Sequence, residues 1–170
     1  RRVVVLGPAH RVQLDGMAIP STSAFATPLG RITLDRAGLA RIADLPGVVV
    51  ADDAHRFEHS LEVQLPFLQV VLGAFTLVPI AVGDAPPEHV AAVVDVLAEQ
   101  PDTLFVLSSD LSHFLDYEHA READSRTRDK ILAHSTSLTR DEACGASVIN
   151  GFMCSRAAAG LSVELLDLRN

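Results

Sequence analysis

An aspartate and a histidine three residues apart stand where an apolar run stops: Leu104, Phe105, Val106 and Leu107 lead into Ser108, Ser109, Asp110, Leu111, Ser112 and His113. In an α/β protein the carboxyl end of a strand is where irregular backbone is tolerated and ligands bind, so Asp110 and His113 are placed for acid/base work or for holding a metal ion. The same residues admit a plainer role, with a serine or Asp110 capping the next helix and His113 packing beside it. His10 has a similar setting. The run Val3, Val4, Val5, Leu6 ends in Gly7, Pro8, Ala9, His10 and presents an imidazole just past a strand. Two such histidines meet at one sheet edge when their strands run the same way.

Between them lies a denser group. His55, Arg56, Phe57, Glu58 and His59 match the bare H-x-x-E-H pattern, which on one helix would set two imidazoles on one face for zinc with Glu58 as base. Apolar periodicity begins only near residue 60, however, so His55 is expected outside that helix. Glu58, His59 and Glu62 then gather at a helix start, where they serve either as an ion-paired cap or as supports that fix the tautomer of a ligand histidine. Cys144 precedes Gly145 at the start of an Ala-rich apolar stretch, and a thiol at a helix N-terminus has a lowered pKa and a stronger thiolate character. A buried, inert cysteine is the alternative there, and is the reading for Cys154 within a helix interior.

The elements that must position these residues are legible as apolar runs alternating with helical patterns. Residues 3–6, 48–51, 75–82, 103–107 and 163–168 read as buried strands, and 36–45, 60–72, 87–99, 117–133 and about 144–159 as helices, with Asp35 capping the first and Pro66 kinking or restarting the second. The alternation implies an α/β fold, a mainly parallel central sheet with helices on both faces, with an antiparallel edge also open. Residues 12–28 lack periodicity and read as a long loop lining a site. A length of 170 residues at 48% hydrophobic content suits a single domain with a sizeable core. A net charge of −8 with one lysine argues against nucleic acid as a partner, and no apolar run approaches the roughly 20 residues that span a bilayer. Cys144 and Cys154 would lie about 15 Å apart on one helix, beyond disulfide reach, which fits a reduced, cytoplasmic protein. The ends, Arg1-Arg2 running straight into a strand and a final strand without a closing element, read as those of a domain that lacks amino-terminal and carboxy-terminal parts.

Five stretches in order resemble the Memo family, whose prokaryotic members are called AmmeMemoRadiSam system protein B: Leu6 to His10, Thr27 to Gly30, Glu58 to Glu62 with Leu65-Pro66-Phe67, Ser108 to His113, and Cys144-Gly145. The resemblance covers most of the chain and implies a fold like that of class III extradiol ring-cleaving dioxygenases, with a non-haem metal pocket at one end of the sheet. It implies that His10 is a metal ligand, that Cys144 is a ligand thiolate where the dioxygenases have a carboxylate, and that His113 is the acid/base histidine with Asp110 beside it. It also implies a third ligand histidine in an upstream Pro-His-Ala-Gly-Tyr motif, which this sequence does not contain. The family's usual serine before the ligand histidine is Ala9 here, which removes a hydroxyl from the ligand's surroundings.

Two functions follow as expectations. One is a redox or oxygenase-type enzyme using Fe(II) or copper on an unknown small molecule, with His10 and Cys144 as ligands and Glu58, His59 and Glu62 in support. The other is a non-catalytic module that reuses the pocket to grip a peptide or protein, with AMMECR-type and radical SAM proteins as the partners the family name implies. A zinc peptidase through His55 and His59 stands third.

Overall fold

The computed structural model describes residues 1–169. In chain order the elements are β1 (Arg2–Pro8), β2 (Met17–Ile19), β3 (Ala24–Thr27), β4 (Gly30–Thr33), α1 (Arg36–Ile42), β5 (Val48–Val50), α2 (Asp53–Arg56), α3 (His59–Glu62), α4 (Leu65–Leu72), β6 (Thr76–Val82), α5 (Pro87–Ala98), β7 (Thr103–Leu107), α6 (Tyr117–Leu132) and α7 (Ala146–Cys154), then one 3-10 turn, Arg156–Ala158. Five strands form the central sheet in the order β5-β2-β6-β1-β7, and β3 pairs with β4 as a separate hairpin. β1 runs parallel to both β6 and β7, with Val4 opposite Val78 and Phe105. The sheet is therefore mostly parallel, as expected. Its antiparallel pair, β2 with β6, is internal.

Strand β1 explains why helices cover both faces. All seven of its residues are buried, and its side chains alternate between faces. Arg2 points to one face, where it pairs with Asp35 and reaches the carbonyl of Leu97 at the end of α5. Gly7 points to the other, where an added Cβ would meet Ser60 of α3 at 2.7 Å. Val3, Val5, Leu6, Leu77, Ile80 and Leu97 are wholly buried, each contributing about 1.5–3 kcal/mol relative to exposure. Asp35 caps α1 by accepting from the Gly38 N–H, as its position predicts.

Several expectations need correction. The segment 12–28 is not one loop: it carries β2, whose three residues are all buried between β5 and β6, and then β3. The helix expected over 60–72 is split into α3 and α4, because Pro66 cannot supply its N–H to a continuous ladder and sits instead in the first turn of α4. His55 lies outside that helix, as expected, but on a short helix of its own, α2. Residues 163–168 form no strand, since no neighbour pairs with them, and Leu165 and Leu166 are exposed. Cys154 closes α7 and is exposed, not interior.

Candidate metal centre

At the end of β1 the chain still follows β6 for one more residue, with the Ala9 N–H donating to the Val82 carbonyl at 2.8 Å. His10 is thus delivered at the carboxyl edge of the sheet. Its backbone N–H donates to the Glu58 carboxylate, and its ring Nδ1 lies 2.9 Å from Glu58 Oε1. Glu58 is only 2% exposed. It caps α3 through the Ser60 N–H at 3.0 Å, while the Ser60 hydroxyl donates to the Pro8 carbonyl at 2.8 Å. Burial opposes the charge on Glu58, but the N–H groups of His10 and Ser60 and the His10 ring outweigh it and hold its pKa down to about 2. An ionised Glu58 accepts the hydrogen bond from His10 Nδ1–H, which leaves Nε2 as the ring nitrogen to ligate, the arrangement in which a carboxylate fixes the tautomer of a ligand histidine. His59 stacks on His10 with ring centroids 5.1 Å apart, its Nδ1 3.4 Å from Glu58 Oε1. His10, Glu58 and His59 form one compact donor group.

A second group forms where β7 exits the sheet. The Ser108 N–H donates to the Leu6 carbonyl at 2.8 Å, so the exit still tracks β1. The Asp110 N–H then donates to Cys144 Sγ at 3.1 Å, and the Cys144 N–H returns a bond to the Asp110 carbonyl at 3.1 Å. Ser109 Oγ accepts from the Gly145 N–H at 2.9 Å. Gly145 is needed for this contact: a Cβ there would lie 2.7 Å from the Ser108 carbonyl oxygen. His113 Nε2 is 4.0 Å from Asp110 Oδ2, and Asp110, His113 and Cys144 make the second donor group. The loop bearing His113 is tied to α6 by the Ser112 N–H donating to the buried Asp124 at 2.8 Å. The segment before Cys144 is held by Asn150 of α7, which bonds both the N–H and the carbonyl of Leu138, at 2.9 and 2.8 Å.

His10 and Cys144 sit in different donor groups but line one cavity of about 550 Å³. Its walls are the end of β1, residues 12–15, Val82 to Asp84 after β6, Arg140, and the start of α7. Asp110 and His113 are not among its lining residues; they lie beside Cys144, and Asp110 is largely exposed. Glu62 faces a separate, smaller cavity with Phe25, His55 and Leu65. His55 and His59 are not brought together. The His55 Nε2–H donates to the Ala18 carbonyl at 3.1 Å and the ring meets Phe25 edge-on, which removes the basis for a zinc peptidase.

An imidazole nitrogen and a sulfur that accepts a backbone N–H, lining one cavity, are donors of the kind that can hold a transition-metal ion. Residues the sequence alone did not single out do much of the positioning: Ser109, Ser60, Asn150, and Gln64, whose Nε2 donates to Ser108 Oγ at 3.1 Å. Asn150 carried a signal, as a polar residue in an otherwise apolar helix stripe. Ser109 and Ser60 stand within stretches that carry the family resemblance, but their partners could not be read locally, because these contacts cross 36 and 52 residues.

The family model described as Memo-like protein matches residues 1–165. A MEMO1 family protein of Archaeoglobus fulgidus is 34% identical over 181 aligned residues, covering 96% of this chain and 67% of the relative. One of Methanosarcina acetivorans is 35% identical over 184, covering 98% and 67%. A protein memo-1 homolog of Caenorhabditis elegans is 37% identical over 119, covering 66% of this chain and 34% of that protein. The chain spans from about a third to two thirds of the length of these relatives. With the family model matching residues 1–165 and two relatives 34% and 35% identical over nearly its whole length, the chain belongs to the Memo-like family.

Proposed function

We propose that the cavity at the carboxyl edge of β1 is a non-haem metal pocket in which a small molecule undergoes redox or oxygenase-type chemistry. The observation that supports this reading is the pairing of His10 with buried Glu58 on one wall and Cys144 on another wall of the same cavity. His10 through Nε2 and Cys144 through Sγ would hold the ion, which when bound supplies one-electron redox chemistry at the cavity wall. The protein's own residues do the rest. Glu58 keeps the His10 tautomer, and the Asp110 N–H stabilises negative charge on Cys144 Sγ. His113, whose ring lies within 4.8 Å of Cys144 Sγ with Asp110 nearby, is in this reading the residue that would exchange a proton with a molecule reaching past Cys144.

Anaerobic titration with Fe(II) and with copper tests it. Near-stoichiometric binding that His10→Ala and Cys144→Ala each abolish supports the reading; undiminished binding in both variants sinks it. The placement of Asp110 and His113 off the cavity lining favours a second reading, a non-catalytic module that uses the cavity to grip a partner. Capture of an AMMECR-type or radical SAM protein by the wild type, lost on Cys144→Ala, would support that alternative.

A further inference from the structure

Among the residues that line the cavity, Arg140 is the only arginine or lysine. Its backbone is held from both sides. Leu138 is clamped by Asn150, Thr139 donates its N–H to Glu142 at 2.9 Å, and Cys144 is bonded to Asp110. The guanidinium itself is not held. It makes no hydrogen bond among the described residues, and its ion pair with Asp84, at 3.5 Å, is longer than a hydrogen bond. Both side chains are open to solvent, at 66% and 89% exposed. The opposite wall is stiff, because the Asp84 N–H donates to the Leu14 carbonyl at 2.8 Å and the Gly16 N–H to the Asp84 carbonyl at 3.0 Å. An arginine on a fixed stem, with unspent donors, on the wall of the cavity lined by His10 and Cys144, can donate a pair of hydrogen bonds to a planar anion.

We propose that Arg140 is a substrate-recognition residue of this cavity and that the small molecule admitted there carries a single carboxylate. The charge on the walls selects that class. Asp15 and Asp84 both line the cavity, so either anion meets two carboxylates for one guanidinium, and the repulsion on a phosphate dianion is about twice that on a singly charged carboxylate, which replaces Asp84 in its loose pairing with Arg140. The inference rests on the cavity being the small-molecule site of the proposed function, but it does not require the metal.

Ligand-observed NMR titrations with phenylacetate, its neutral isostere phenylacetamide, and phenyl phosphate, all in the presence of a chelator and at low ionic strength, test it. The expected result is phenylacetate binding about tenfold tighter than the amide and tighter than phenyl phosphate. Arg140→Met should erase that preference with the melting temperature unchanged, Arg140→Lys should keep part of it, and Asp84→Asn should strengthen phenylacetate binding severalfold. Equal affinity for acid and amide, or an acid preference that survives Arg140→Met, overturns the assignment. Tighter binding of phenyl phosphate overturns the carboxylate class. Because the chelator is present throughout, these outcomes are the same whether or not His10 and Cys144 bind metal, so failure here and failure of the metal titration are distinguishable.

Discussion

Glu58 joins three tasks in one buried carboxylate: it caps α3, accepts the backbone N–H of His10 and fixes the His10 ring. Glutamine in its place keeps the shape but offers one acceptor oxygen and an amide that faces other donors. Losing a charge-assisted acceptor costs about 1.5–3 kcal/mol, and losing the partner that orients a ligand histidine typically weakens metal affinity about 10–100-fold. Glu58→Gln is therefore expected to lower the urea midpoint and to weaken Fe(II) or copper binding together, read from one denaturation series and one anaerobic titration. His59→Phe separates the effects, since it keeps a ring stacked against His10 and leaves the carboxylate in place. It should bind metal much as the wild type does. A Glu58→Gln protein with unchanged metal affinity would show that Glu58 is a cap alone.

At the scale of elements, the site exists because two chain reversals are fastened to each other. The exit of β7 and the approach to α7 are joined by the reciprocal bonds of Asp110 with Cys144 and by Ser109 Oγ with Gly145, and the Gly145 position has no room for a methyl group. Gly145→Ala must push the two segments apart, at a cost of about 1–3 kcal/mol for overpacking, and so should displace Cys144 and reduce metal binding far more than stability. Ser147→Ala, in the first turn of α7 on the cavity wall, is the matched control and should leave both nearly unchanged. The delivery of His10 and of Asp110 to one sheet edge was legible, since each follows a long apolar run and parallel strands end on the same side. β2 was not, because Met17, Ala18 and Ile19 are too few to show a period and owe their conformation to β5 and β6 on either side. Nor was the division of the site into two donor groups, because the stacking of His59 on His10 and the thiol's bond to the Asp110 N–H are contacts between segments, with no local signature. The strand expected at 163–168 failed for the opposite reason: the local pattern is good, but a strand needs a neighbour.

For the molecule as a whole, acid stability brings these local environments together. His55 is held neutral by burial, which outweighs the Ala18 carbonyl and the Asp52 and Glu58 charges that favour its protonated form, so its pKa lies below the ordinary 6.5. With Nε2–H donated to Ala18, a proton added at Nδ1 would find no acceptor, as that atom is buried without a partner. The unfolded chain therefore binds this proton first, and the stability from His55 is complete above pH 6.5 and falls as pH drops below it. Glu58 acts lower on the scale: its contribution is complete above 4.5 and is lost as pH falls toward about 2, a change on the order of 3 kcal/mol. Net charge works the other way in the upper range. The chain carries −8 at pH 7, and its self-repulsion eases as pH approaches the sequence pI of about 5.2. Loss of stability between pH 6.5 and 5 is then not a general charge effect and points to His55. Urea midpoints measured from pH 8 to 3 with a chelator present should fall in two steps for the wild type. His55→Phe, less stable at pH 8 for want of the Ala18 hydrogen bond, should be flat or rising from pH 6.5 to 5 and keep the lower step, while Glu58→Gln should keep the upper step and lose most of the lower one. A His55→Phe profile that still falls between pH 6.5 and 5 would assign the upper step to another group.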